Sequence, residues 1–192
     1  MIFSRDKVQK DLQNLVGLCR KNDKRAQLAL YNQYAKAMYN VCLNITHKPS
    51  DAEEIMHDGF ISAFQHINSY KGEVSFGAWL KKIMVNKSVD FLRKRVVTFD
   101  ELNENINQAE VSGPEESEFN TIQANQIKIE IAKLPEGYRT IVSLYLFEGY
   151  DHEEIAQILN ISASTSRSQY ARAKSLILKN LENKKENGFI AK

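Results

Sequence analysis

The sequence predicts an all-α protein: two small helical domains joined by a flexible acidic linker, the second carrying a helix-turn-helix. Three observations lead there. Apolar residues recur at spacings of three and four through most of the chain, as the buried face of a helix requires. The 192 residues include only 3 prolines and 8 glycines, too few for a turn-rich β protein. Charge is divided rather than mixed: residues 1–95 carry 16 Lys and Arg against 9 Asp and Glu, residues 96–120 carry 7 acids and no base, and residues 121–192 carry 10 bases against 8 acids. The net charge of +2 hides this division. Two cationic pieces flanking an anionic joint suit modules that bind a polyanion.

The first domain is expected over residues 1–95, beginning with a helix around Val8–Arg20. In Ala26–Ile45 the apolar positions 28, 31, 35, 38, 42 and 45 form one stripe, and Leu30, Tyr34, Ala37 and Val41 form a second beside it. A helix apolar on two sides packs inside a bundle. The next, "PSDAEEIMHDGFISAFQHI", opens on Pro49 with a capping box from Ser50 to Glu53. Positions 52, 55, 56, 60, 63, 64 and 67 face inward, and Asp51, Glu54, Asp58, Ser62 and Gln65 form the opposite, solvated stripe. "NSYKGEVS" (68–75) is a loop broken at Gly72. "FGAWLKKIMVNKSVDFLRKR" (76–95) is a helix with Trp79, Leu80, Ile83, Met84 and Phe91 toward the core and Lys82, Asn86 and Arg93 outward.

Periodicity is lost over residues 96–120, where "GPEESE" has the composition of a self-repelling linker. As a coil it would span about 25–30 Å on average, and about 80–90 Å if stretched. The last domain, 121–192, starts with "TIQANQIKIEIAKL", ending at Pro135, followed by a helix in "EGYRTIVSLYLFEG" stopped by Gly149. "DHEEIAQIL" is a short helix with Asp151 as its cap; "NIS" is a turn, with Asn160 as a C-cap and Ser162 as the next N-cap; a basic helix follows from Ala163 to about Asn183. Two helices joined by so short a turn, the second basic, can place that second helix in a DNA major groove. Tyr170, Ala173 and Ile177 face inward, which leaves Arg167, Ser168, Ala171, Arg172 and Lys174 outward. Arginine can grip guanine or a phosphate through two donors, and Ser168 and Gln169 can do either more weakly.

"LPEGYRTIVSLYLFEGYDHEEIAQILNISASTSRSQYARAKSLI" resembles the promoter-reading C-terminal domain of bacterial RNA polymerase sigma factors of the extracytoplasmic-function (ECF) group. The matching positions are Leu134-Pro135, Gly149, Glu154-Ile155-Ala156, Ile161-Ser162, Thr165 and Arg172-Ala173-Lys174. Upstream, "DAEEIMHDGFISAFQHINSYKGEVSFGAWLKKIMVNKSVDFLRKR" is similar to the same family's N-terminal domain, and the two halves occur in the family's order.

The resemblance implies promoter recognition without catalysis, with no cofactor, metal or catalytic residue. It places Arg167, Ser168, Gln169, Ala171, Arg172 and Lys174 against the upstream (minus-35) element. The loop Tyr70, Lys71, Gly72 and Glu73 would hold a base flipped from the downstream (minus-10) element, and Lys82, Asn86, Lys87 and Arg93 would contact the separating strands. Asp51, Glu54, Asp58 and Gln65 would dock the polymerase clamp, and the acidic linker would thread channels built for nucleic acid. Core RNA polymerase, promoter DNA and an anti-sigma factor are the implied partners. Ser164 stands where glycine is common and Ser166 where a buried valine is common, which implies a recognition helix at a slightly different angle. His57 stands where glutamine is common, which implies altered docking contacts.

Other classes fit less well. His47, His57-Asp58 and Asp90 follow the order of metal phosphohydrolases, but so few histidines in a helical chain produce that order by chance. A self-sufficient dimeric repressor would need an association seam, and no heptad repeat provides one. Cys19 and Cys42 read as reduced core residues. With no apolar run of membrane-spanning length and no apolar leader in "MIFSRDKVQKDL", a cytoplasmic location without membrane insertion is expected.

Overall fold

The structure, a computed structural model, describes residues 5–98 and 118–189, and within them the side chains of 11–95 and 125–183. The described residues form eight α-helices and one short 3-10 turn, with no strand, and no described helix is long and apolar enough to cross a membrane. The chain divides into two compact units, Met1–Arg95 and Val96–Lys192. Most of the expected linker lies outside the described residues. At its ends, helix α4 continues through Thr98 and helix α5 begins at Glu118, so the helices reach into the span read as 96–120.

The first unit consists of α1 (Arg5–Arg20), α2 (Lys24–Thr46), α3 (Pro49–Gln65), the 3-10 turn Ile67–Ser69 and α4 (Phe76–Thr98). Asn22, in the left-handed region, ends the first turn, and the Asp23 side chain caps α2 by accepting from the Ala26 amide at 2.9 Å. His47, also left-handed, closes α2. Leu30, Cys42, Ile45, Phe76, Leu80 and Met84 are fully buried and fill the centre. Leu28 and Ala37, assigned to inward stripes, are exposed. The buried face of α2 is narrower than the apolar pattern because Tyr31, Tyr34 and Ala35 are only half covered. In α4 the core is carried by Leu80, Met84, Val85, Ser88, Val89 and Leu92, while Trp79, Ile83 and Phe91 are half-buried.

The capping box expected at Ser50–Glu53 is absent. Pro49 is the first helical residue and Lys48 the cap, with no side-chain capping bond. Proline fits that position because its φ is already helical and its missing N–H has no partner to lose there. Ser50 therefore lies inside the first turn, where its hydroxyl bonds to Asp51 at 3.2 Å.

The second unit consists of α5 (Glu118–Ala132), α6 (Glu136–Leu146), α7 (His152–Leu159) and α8 (Ala163–Phe189). Ile131, Leu134, Val142, Ala173 and Ile177 form its core, with Tyr138, Phe147, Tyr170 and Leu181 packed against them. Asp151 and Glu154 complete a capping box on α7: the Glu154 amide donates to Asp151 at 2.8 Å, and the Asp151 amide donates to Glu154 at 2.9 Å. Such a cap contributes about 1 kcal/mol, useful for a helix of only 8 residues.

Candidate nucleic-acid interface

The helix-turn-helix is built from short-range bonds. Asn160 ends α7 at φ 55° and ψ 49°, and the Ile161 amide donates back to Ala156 at 3.0 Å. The Ser162 hydroxyl accepts from the Thr165 amide at 3.0 Å and so caps α8. No acid stands in the first turn of α8, so its N-terminal amides present partial positive charge, the arrangement that receives a phosphate. Ala173 and Ile177 anchor one face, and Arg167, Ser168, Ala171, Arg172 and Lys174 are exposed on the other. Gln169 is only half exposed, so it is less available than its neighbours.

Two cross-links from α7 to α8 were not read from the sequence. Ser166 is 0% exposed, and its hydroxyl shares a 2.9 Å hydrogen bond with Nδ1 of His152. The His152 ring stacks on Tyr145 at 4.9 Å and meets Tyr170 edge-on at 5.6 Å. The buried Ser166 hydroxyl thus has a partner, and the partner is packed. Burial, and then the neighbouring Tyr145, raises the Tyr170 phenol above its ordinary value. One residue further along each helix, Arg167 pairs with the Glu153 carboxylate. The acids opening α7 were visible in the sequence, but only the crossing of the helices shows which one meets Arg167.

In the first unit, Lys82, Asn86 and Arg93 are exposed along α4 and Lys87 is half-buried. Arg93 also reaches Asp90 at 3.5 Å. Lys71, Gly72 and Glu73 are exposed at the loop tip, and Gly72 adopts φ +81°, a conformation open to glycine.

Tyr70 departs from the expectation. It is 8% exposed, with its ring against Phe76 at 5.5 Å and Trp79 at 5.4 Å. A ring held in that cluster is packed into the unit rather than presented at the surface, unlike its loop neighbours. Its phenolic oxygen donates to the Val74 carbonyl at 2.9 Å, and its own carbonyl accepts from Arg20 at 2.7 Å. A tyrosine in a polar loop gives no sequence signal that separates these two roles.

Asp51 departs as well. It is 7% exposed and paired with Lys48 at 3.1 Å and Arg95 at 3.4 Å, which makes it a structural tie within the unit and leaves little of it on the α3 surface. Glu54, Asp58 and Gln65 are exposed on α3, and Ile61, 56% exposed, lies among them. Its signal was its absence from the inward positions. His57 bonds through Nε2 to the Tyr31 hydroxyl at 3.1 Å. Among the described residues no group of three or more His, Cys, Asp or Glu is placed to hold a metal ion.

A capped helix-turn-helix with a basic outer face, following a separate helical unit with a basic final helix, defines a DNA-binding transcription protein. Two family models match, in the same order: "Sigma-70 region 2" over residues 30–97 and "Sigma-70, region 4" over residues 126–177. The chain is 28% identical over 160 residues to the RNA polymerase sigma factor YlaC of Bacillus subtilis, covering 82% of this chain and 92% of that one. It is 27% identical over 178 residues to the ECF sigma factor SigW of Bacillus subtilis (84% and 92%), and 29% identical over 175 residues to the ECF sigma-E factor of Haemophilus influenzae (86% and 92%). The fold is similar to CnrH, solved with the cytosolic domain of CnrY (TM-score 0.52, 19% identity, covering 88% and 96%). It is also similar to the sigma factor RpoE, solved with the anti-sigma factor NepR from Bartonella quintana (TM-score 0.56, 20% identity, covering 80% and 95%). The chain belongs to the sigma-70 family of RNA polymerase sigma factors, in its extracytoplasmic-function group, and its function is promoter-specific transcription initiation.

Proposed function

We propose a division of labour within that function. Residues 1–95 dock core polymerase and read and melt the downstream promoter element; residues 121–192 read the upstream element as duplex; residues 96–120 tether the two and thread the polymerase. The observation that carries the upstream assignment is the outer face of α8, where Arg167, Ser168, Ala171, Arg172 and Lys174 stand exposed opposite an anchored core face. Arg172 is the principal base reader. Arg167 acts after release from, or while oriented by, Glu153. Lys174 and the first-turn amides of α8 hold phosphates.

Downstream, Lys71, Gly72 and Glu73 form the tip that meets a flipped base, and Lys82, Asn86, Lys87 and Arg93 guide the separating strands. The exposure of all but Lys87 supports this role. Glu54, Asp58 and Gln65, with Ile61 between them, form the polymerase-docking stripe. Regulation by an anti-sigma factor is supported by the complex in which RpoE was solved with the anti-sigma factor NepR. The protein acts in the cytoplasm, where the polymerase is, and performs no catalysis itself.

Runoff transcription with sigma-free core polymerase tests the whole. Initiation from a defined set of host promoters is expected, and none above background from folded, inhibitor-free protein would refute it. Within that assay, Arg172→Ala should weaken use of the upstream element by about 1–3 kcal/mol and relax the choice at one base pair. An equal loss on every upstream sequence would instead make Arg172 a phosphate contact.

A further inference from the structure

We infer that α1 is part of the promoter-reading apparatus: Arg20 and Tyr70 are positioning residues that set the shape of the 71–74 loop tip. The inference rests on the tip being the reader of the downstream element. The matched sigma-70 region begins at residue 30, so α1 lies outside it.

The contacts are specific. Arg20, at the end of α1, donates from Nη2 to the Tyr70 carbonyl at 2.7 Å, a charge-assisted bond between residues 50 positions apart. The same tyrosine donates its hydroxyl to the Val74 carbonyl at 2.9 Å, so one side chain spans the tip. Its ring is held between Phe76 and Trp79, and its amide donates to Ile67 at 3.2 Å. On the far side Ser75 caps α4, its hydroxyl accepting from the Ala78 amide at 3.2 Å and its carbonyl from the Trp79 amide at 3.1 Å. Between these pinned ends stand Lys71, Gly72, Glu73 and a Val74 that is 55% exposed. Val16 and Cys19 are buried and hold α1 against the rest of the unit, so the brace has a fixed base.

The consequence is preorganisation. Telling one flipped base from another requires donors and acceptors already in place, because a tip that must be ordered on binding loses discrimination as well as affinity. Arg20 fixes where the tip begins, and the Tyr70 phenol fixes where it closes. Neither needs to touch DNA.

The test uses full-length variants assembled with core polymerase, on templates that share one upstream element and carry each of the four bases at each downstream-element position. Arg20→Ala and Tyr70→Phe should each compress the best-to-worst base ratio at one or two positions by about 3- to 10-fold. Binding to duplex carrying the upstream element alone should be unchanged. Tyr70→Phe keeps the ring packing, so it separates a lost tip bond from a lost fold, and Arg20→Lys should restore part of the ratio. Lys71→Ala and Glu73→Ala report on the tip itself. If these tip variants alter the ratio while Arg20→Ala and Tyr70→Phe do not, or lower all templates equally, the brace is refuted and the loop reading stands. If the tip variants also leave every position unchanged, the loop reading fails and the brace with it.

Discussion

Buried polar residues decide most at the scale of single side chains. Tyr70 and Asp51 were read as surface or groove residues and Ser166 as standing at a buried position, and all three are buried with named partners: Val74 and Arg20, Lys48 and Arg95, and His152. A buried polar group persists only when it is paired; Lys48 and Val74 are local partners, but Arg20, Arg95 and His152 lie 50, 44 and 14 residues away, beyond the reach of periodicity. The cysteines are the opposite case, legible from isolation alone: Cys19 and Cys42 are free thiols, both buried. Burial, and then Asp23, raises the Cys19 thiol above its ordinary value. A thiol whose folded pKa is raised contributes stability that is whole below the ordinary thiol range and is lost as pH rises through the folded value. Native protein at neutral pH should therefore react with a thiol reagent about 100-fold or more slowly than unfolded protein. Fast stoichiometric labelling of native protein would show that the first unit opens around α1.

Helices and turns account for the next set of outcomes. Every cap in the helix-turn-helix was readable, because Asp151, Asn160 and Ser162 act on amides and carbonyls within a few residues. Pro49 shifted the start of α3 because its own backbone preference outranks a nearby serine. Packing between helices was not readable. A Cβ placed on Gly59 of α3 would lie 2.2 Å from Sδ of the fully buried Met84 of α4. Gly59→Ala should therefore destabilise the first unit by about 1–3 kcal/mol, despite alanine's better helix propensity. Thermal melts check this, and a second variant, Met84→Ala, should recover part of the loss in the Gly59→Ala background. Between α7 and α8, Ser166→Ala should cost about 1–2 kcal/mol by leaving His152 without its partner. Should melting of that variant match the parent protein, the His152 contact adds nothing to the setting of α8.

Across the whole molecule, the two units each enclose their own buried apolar core. Units of that kind fold alone when their cores are complete. A fragment of residues 1–98 and another of residues 118–192 should each show a cooperative thermal transition and helical circular dichroism. Neither fragment alone should support initiation, because the proposed reading of both promoter elements at once depends on the effective concentration that a tether confers. A fragment that melts without cooperativity would mean that its core depends on the other unit.

The chain by itself determined the helical class, the order of the elements, the caps of the helix-turn-helix, the outward basic face of α8 and the exposure of Lys82, Asn86 and Arg93 on α4. These follow from backbone preference and from spacing along a helix, which are local quantities. Only the tertiary structure decided that Tyr70 and Asp51 turn inward, that Arg20 reaches across to Tyr70, and that Arg167 and Ser166 meet Glu153 and His152. Those outcomes depend on which faces of distant helices come into contact. Burial makes an unpaired donor or acceptor costly, so the partners are chosen by packing rather than by neighbourhood in sequence.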